Sequence, residues 1–186
     1  TEIAGLFLFF GIIIGIIGKL SASKIADSFI EGAGNLIGGA LIVGVAQAIL
    51  VIFTDSGLMD TILYYAANAI SDIPGAFTAV GMFILQLGLN FLVPSGSGQA
   101  ALTMPIMAPL ADLVGVTRQT AVLAYQLGDG LSNNIFPTVG FFMAGLALAG
   151  IPYTKWLRWI MPLFLIQVAI GIIALVIAQL IQYGPF

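Results

Sequence analysis

Two short polar runs interrupt an otherwise apolar chain: Pro94-Ser95-Gly96-Ser97-Gly98 and Gly128-Asp129-Gly130-Leu131-Ser132-Asn133-Asn134. Their hydroxyls, side-chain amides and single carboxylate are groups that bind small solutes. They do not make a catalytic set. The chain has no Cys and no His, which removes disulfides, thiolate chemistry, histidine proton relays and ordinary zinc sites. An intramembrane aspartyl protease needs two carboxylates, and Asp129 is the only ionisable residue well inside a span. A serine enzyme would lack its base. No catalytic residue is expected, so the chain is read as a non-enzyme without an organic cofactor. A purely structural assembly subunit would leave both interruptions without a purpose.

Helices that stop and restart at these runs offer a second kind of chemistry. Segments 99–113 and 135–150 each begin at a break, and free N–H groups at a helix start suit a carboxylate. Segments 76–93 and 118–128 end at the breaks, where carbonyl ends suit Na⁺ or an ammonium. The expected substrate contacts are Ser95, Gly96, Ser97, Gly98, Gln99, Thr103, Ser132, Asn133, Asn134 and Thr138. Gln99 and Thr103 are four apart and share a helix face. Asp129, Gly128 and Asn90 are the expected contacts of a coupling cation, Na⁺ or H⁺, with no other metal. Asp129 carries a second reading: it could be protonated, or hold a tight turn by accepting N–H bonds from Leu131 and Ser132. Glycines 96 and 98 are expected to give a flexible, solvated tip. Pro105 and Pro109 are expected to disturb the helix that leaves it. Pro137 is expected in the first turn after the second break.

The surrounding composition sets the solvent. Hydrophobic residues make up 60% and charged residues 7% of the 186 residues, with mean hydropathy +1.14. A soluble domain carries roughly 25% charged residues, so this chain must be solvated by lipid. Nothing in a net charge of −3 suggests nucleic acid. The sequence begins Thr1-Glu2 without Met, read as a fragment, a processed chain or a trimmed one.

The elements that position the two runs follow from hydropathy, and they make one all-α integral membrane domain, 1–186. Residues 3–18, 36–53 and 156–183 read as spans. Residues 20–33 and 55–72 read as amphipathic interfacial helices. Residues 76–113 have limbs too short to cross and read as a re-entrant helical hairpin. Residues 118–150 read as a broken span. Irregular backbone at that depth survives only where it is buried in protein or lines a watery cavity. Two such breaks close in sequence therefore mark a site. The N-terminus and the 54–73 and 112–118 connections share one face, with Glu2, Asp55, Asp60, Asp72 and Asp112 against Arg118. The other face carries Lys19, Lys24, Lys155 and Arg158, which makes it cytoplasmic and puts both termini outside.

Other features read as packing. Gly11-x-x-x-Gly15 and Gly34-x-x-x-Gly38 permit close helix contact. Gln47, Gln86, Gln126 and Gln167 join helices by hydrogen bonds. Tyr153, Trp156 and Trp159 form an interfacial anchor belt. The Gly96-Ser97-Gly98 run lacks the strand and the Gly-Lys-Ser/Thr of a phosphate loop.

The run LNFLVPSGSGQAALTMPIMAPLADLVGVTRQTAVLAYQLGDGLSNNIFPT, Leu89 to Thr138, resembles the anaerobic C4-dicarboxylate carrier family, most closely its YfcC-type branch. Members of that branch are described as basic amino-acid antiporters. The resemblance implies an ion-transporter-superfamily fold, in which two inverted repeats each supply a re-entrant hairpin and a broken helix. This chain then corresponds to the C-terminal half. The N-terminal repeat lies in the same or a separate chain, and the whole carrier is a homodimer in the bacterial cytoplasmic (inner) membrane. Divalent-anion carriers of the superfamily have Ser-Asn-Thr at hairpin tips, where this chain has Ser95-Gly96-Ser97. The implied function is secondary active transport of a small carboxylate-bearing metabolite, a C4-dicarboxylate or an amino acid, by alternating access. The alternative is arginine/ornithine-type antiport. No Lys or Arg lies at either break, and Asp129 favours a cationic or zwitterionic substrate.

Overall fold

The computed structural model describes residues 2–71 and 77–184. Asp72 and residue 76, where the expected hairpin begins, lie outside the described residues. Among these the chain forms eight α-helices: α1 (Glu2–Ile17), α2 (Ala22–Asp55), α3 (Leu58–Ser71), α4 (Thr78–Leu89), α5 (Gly96–Val114), α6 (Arg118–Ser132), α7 (Gly140–Leu148) and α8 (Tyr153–Leu180). It divides into two compact units, Thr1–Gly38 and Gly39–Phe186.

In the first unit α1 packs against the start of α2. A Cβ on Gly11 would come within 2.8 Å of the Phe29 ring, and one on Gly15 within 2.7 Å of Ile25. These two glycines do the packing expected of them. Gly34 and Gly38 have no neighbour within 4 Å. Segments 20–33 and 36–53, read as an interfacial helix and a separate span, belong to one 34-residue helix. No proline stands between Ser21 and Asp55, and an interior glycine costs a helix only about 1 kcal/mol.

In the second unit the close crossing lies one residue later than expected. A Cβ on Gly39 of α2 would stand 2.7 Å from the Ala144 side chain of α7. Helices α4 and α5 form a hairpin. Pro94 has no N–H and disfavours helical backbone at Val93, so α4 stops at Leu89. Ser95 then caps α5 by accepting the Gly98 N–H at 3.3 Å, as N-cap serines do. Helix α5 runs unbroken through Pro105 and Pro109. Helix α3 packs along the hairpin. Its Met59 and Leu63 pack on Leu89 and Val93 near the tip, and Ile70 packs on Ala79, Leu110 and Ala111 at the open end. It thus runs along the hairpin from tip to base.

Helix α6 lies against α4, α5 and α8. It follows a tight connection in which Gly115 has φ +71, Thr117 caps the helix, and Arg118 forks onto Asp112 at 2.7 Å. Hydrogen bonds from Arg118 hold the Asp112 carboxyl below the usual carboxylate range. The pair is exposed, so its worth to stability is small. The end of α8 returns to this connection. Thr117 donates to the Tyr183 carbonyl at 2.6 Å, and Gln179 donates to the Gly115 carbonyl at 2.8 Å.

The α4–α6 contact depends on Gly128. A Cβ there would lie 2.7 Å from Gln86 Cβ and 2.8 Å from the backbone nitrogen of Leu87. Backbone cannot yield as a flexible side chain can, so the helices must separate. Gly128→Ala is expected to cost about 1–3 kcal/mol, read as a lower unfolding midpoint in detergent. Gly130→Ala, two residues on with no neighbour within 4 Å, is the control and should be neutral or slightly stabilising.

Candidate functional site

The hairpin tip and the end of α6 enclose a cluster of buried polar groups. Gln86, Asn90, Gln99, Thr103 and Ser132 are all buried, although the chain's outer surface is largely apolar. Two networks account for most of them. In the first, Gln99 Nε2 donates to the Gln86 carbonyl and to Gln86 Oε1, both at 2.8 Å. Gln86 Nε2 donates to the Thr103 hydroxyl at 2.9 Å, and Thr103 donates to the Gln99 carbonyl at 2.9 Å. These bonds tie α4 to α5 just behind the tip, so Gln86 joins helices as its composition class suggested.

The second network ties the tip to α6. Asn90 Nδ2 lies 2.7 Å from Ser132 Oγ, 2.8 Å from Asn133 Oδ1 and 3.2 Å from the Asp129 carbonyl. Ser132 donates to the Gly128 carbonyl at 2.6 Å. Tyr125 donates its phenol proton to the Gly96 carbonyl. The rings of Phe91 and Phe136 meet edge to face.

Asp129 sits in the last turn of α6 with only 6% of its surface exposed. Its Oδ1 is buried and has no hydrogen-bond partner. Its Oδ2 lies 3.3 Å from where a Cβ on Gly96 would be, so the carboxylate faces the first turn of α5. The turn-holding reading of Asp129 does not hold. Helix α6 continues to Ser132, and the carboxylate takes neither the Leu131 nor the Ser132 N–H. Asn90 Oδ1 and Gln99 Oε1 are likewise buried without a partner.

Both breaks therefore fall a few residues from their expected places. Gly96, Ser97 and Gly98 form the first turn of α5 rather than a loop, and neither glycine has a positive φ. A Cβ on Gly96 would press on Asp129 Oδ2 at 3.3 Å, and one on Gly98 on Ser95 Oγ at 3.0 Å. The second break runs from Asn133 to Val139. It carries Pro137, which lies ahead of the first turn of α7. That start is directed to α2: a Cβ on Gly140 would lie 2.8 Å from the Gly39 carbonyl.

Of the expected residues, the structure gathers Asn90, Ser95, Gly96, Gly98, Gln99, Thr103, Asp129, Ser132 and Asn133. It does not gather the others. Ser97 and Asn134 are exposed, and Gly128 serves the helix crossing. Thr138 lies with Leu41 and Val45 of α2, and its buried hydroxyl has no partner. Trp156 donates to the Asn134 carbonyl at 2.9 Å and Tyr153 to that of Ile135 at 2.8 Å. These two residues thus satisfy carbonyls freed at the break, a role their aromatic-belt reading missed. Tyr125 was also missed; its four-residue spacing from Asp129 on one helix face was the available signal.

A family model described as "C4-dicarboxylate anaerobic carrier" (DcuC) matches residues 1–180. The chain is 46% identical over 168 residues to the Escherichia coli (strain K12) protein named "Putative basic amino acid antiporter YfcC", covering 84% of this chain and 33% of that protein. It is 39% identical over 176 residues to an uncharacterized protein of Haemophilus influenzae (strain ATCC 51907 / DSM 11121 / KW20 / Rd), covering 95% of this chain and 34% of that protein. The chain thus spans about a third of the length of these relatives. No solved structure matches.

The Asn90 side chain is the main polar tie between tip and α6. Asn90→Ala should leave Ser132 and Asn133 without their donor at a cost of about 1–3 kcal/mol. Hydrogen exchange is expected to rise at residues 90–96 and 129–134 together. Faster exchange at only one of these segments would show that the tie is not mutual.

Proposed function

The chain belongs to the C4-dicarboxylate anaerobic carrier family, and we propose that its hairpin tip and the end of α6 form one side of the substrate site of a secondary transporter. The carrying observation is Asp129: a buried carboxylate with one unpartnered oxygen, set against the first turn of α5. Asn90 Oδ1 and Gln99 Oε1 add two more unpartnered acceptors. A ligand must bring hydrogen-bond donors or positive charge to these oxygens. The start of α5 supplies the opposite requirement, because its N–H groups suit an anion. An α-amino acid carries an ammonium and a carboxylate on adjacent atoms and meets both. The relative named as a putative basic amino acid antiporter agrees with this reading.

A second reading follows from the family's description. A C4-dicarboxylate would use the same N–H groups, with Na⁺ or H⁺ at the Asp129 and Asn90 oxygens. In either case the rest of the site comes from an inverted repeat outside this chain, and transport proceeds by alternating access. The 76–113 hairpin is then re-entrant. The bonds Thr117–Tyr183 and Gln179–Gly115 support a topology in which the α5–α6 connection and the end of α8 share the outer face. Lys155 and Arg158, at the start of α8, mark the cytoplasmic face of a bacterial inner membrane.

Counterflow in proteoliposomes made with the complete polypeptide that carries this chain tests the substrate. Arginine and ornithine should exchange, and Asp129→Asn should slow the exchange by about tenfold or more, as expected for a buried charge pair. Exchange of succinate and fumarate without arginine would favour the second reading; exchange of none of the four would defeat both. Topology is tested separately. A cysteine at Leu113 should be labelled from outside and one at Thr154 from the cytoplasm, with no native cysteine to interfere. The reverse pattern would overturn the orientation.

A further inference from the structure

The two bases near the start of α8 stand in a region without acids. No Asp or Glu follows Asp129 in the chain. Among the described residues Lys155 and Arg158 have no carboxylate partner; the ion pair there is Arg118 with Asp112. Both bases are exposed. They are three apart on one helix, where like charges repel and a shared anion relieves the repulsion.

Lys155 also lines a cavity of about 280 Å³ with Ile151, Trp156 and Trp159. The Trp156 and Trp159 rings lie 5.2 Å apart, and Trp156 meets Phe142 of α7 at 5.9 Å. Apart from Lys155, the lining side chains are aliphatic or aromatic. Such walls offer nothing to inorganic phosphate. They suit a phospholipid, whose phosphate meets Lys155 while its glycerol and first acyl carbons lie on the rings. Tryptophans and bases gather at the depth of lipid headgroups, and basic pockets at that depth bind anionic ones.

We propose that the cavity at the α7–α8 corner seats the headgroup of an anionic phospholipid, and that Trp156 passes the effect of that lipid to the second break. The link is a hydrogen bond. Trp156 Nε1 donates to the Asn134 carbonyl at 2.9 Å. Tyr153, in the same turn, donates to the Ile135 carbonyl at 2.8 Å. Residues 133–139, which join α6 to α7, thus take donors for these two carbonyls from the start of α8. A headgroup that fixes the Trp156 ring fixes its N–H as well. Lipid charge is thereby coupled to a segment that begins at Asn133, itself a partner of Asn90 at the hairpin tip. The proposal is independent of which substrate is carried. Bases that served only to set topology would show no such coupling.

The test uses the complete polypeptide that carries this chain, in phosphatidylcholine vesicles with and without phosphatidylglycerol. Hydrogen exchange is followed at residues 133–139 and 151–159. Residues 54–58, which hold no base, correct for the general effect of an anionic surface on exchange. Relative to them, phosphatidylglycerol should slow both segments about fivefold or more, the attraction expected of a base near an anionic surface. Lys155→Gln combined with Arg158→Gln should abolish the slowing. Trp156→Phe keeps both charges and an aromatic ring but removes the donor. It should keep the slowing at 151–159 and lose it at 133–139. Equal exchange with and without phosphatidylglycerol would overturn the proposal, as would a full response in the double variant. Slowing at 133–139 in Trp156→Phe would overturn the link through Trp156. If the double variant does not insert, the parent and Trp156→Phe decide by the same outcomes. Inorganic phosphate added to phosphatidylcholine vesicles should have no effect; a response matching that to phosphatidylglycerol would overturn the lipid in favour of a free anion.

Discussion

Backbone and side-chain polar groups freed at two helix breaks need partners in protein or water, because lipid offers none. That constraint explains the arrangement at the hairpin tip. Gln86, Gln99 and Thr103 satisfy one another behind it. Asn90 reaches across to Ser132 and Asn133. Tyr153 and Trp156 cover carbonyls of the second break. The Asn90 bonds require α4 and α6 to lie backbone to backbone, which is why a glycine stands at position 128.

Against that economy the exceptions carry meaning. Among the described residues, the unpartnered side-chain atoms at the tip are oxygens: Asn90 Oδ1, Gln99 Oε1 and Asp129 Oδ1. A set of acceptors beside a helix start gives a surface of two signs, negative on the side chains and positive on the N–H groups of α5. Such a surface is poorly matched to a simple anion and well matched to a zwitterion.

The stop between α4 and α5, the interruption between α6 and α7 and the long final helix were legible in the sequence because Pro94, Pro137 and the polar runs interrupt strong apolar patterns. The polar residues Asn90, Gln99, Thr103, Asp129 and Ser132 stood out for the same reason. Exact break points were not legible. Glycine and serine at 96–98 suggest a loop by composition, yet a serine N-cap at Ser95 makes them a helix start. Likewise, the Gly-Asp-Gly of 128–130 suggests a turn, but helix α6 tolerates both glycines because one is required at the α4 crossing. The continuity of α2 was missed because its polar first part and apolar second part look like two elements. Composition changes there without any residue that breaks a helix.

The position of Asp129 shows why these two levels of reading differ. Along the chain it belongs to α6 and sits at the unfavourable end of that helix dipole. In space it also lies beside the first turn of α5, with Oδ2 3.3 Å from where a Gly96 Cβ would be. Local sequence supplies only the first term, and the second depends on the hairpin folding back. The two dipole contributions oppose each other at one carboxylate, so a small change in the spacing of tip and α6 alters its balance. Any movement of the hairpin against α6 makes such a change. A carboxylate balanced between two helix ends responds to that motion more strongly than one held by either end alone.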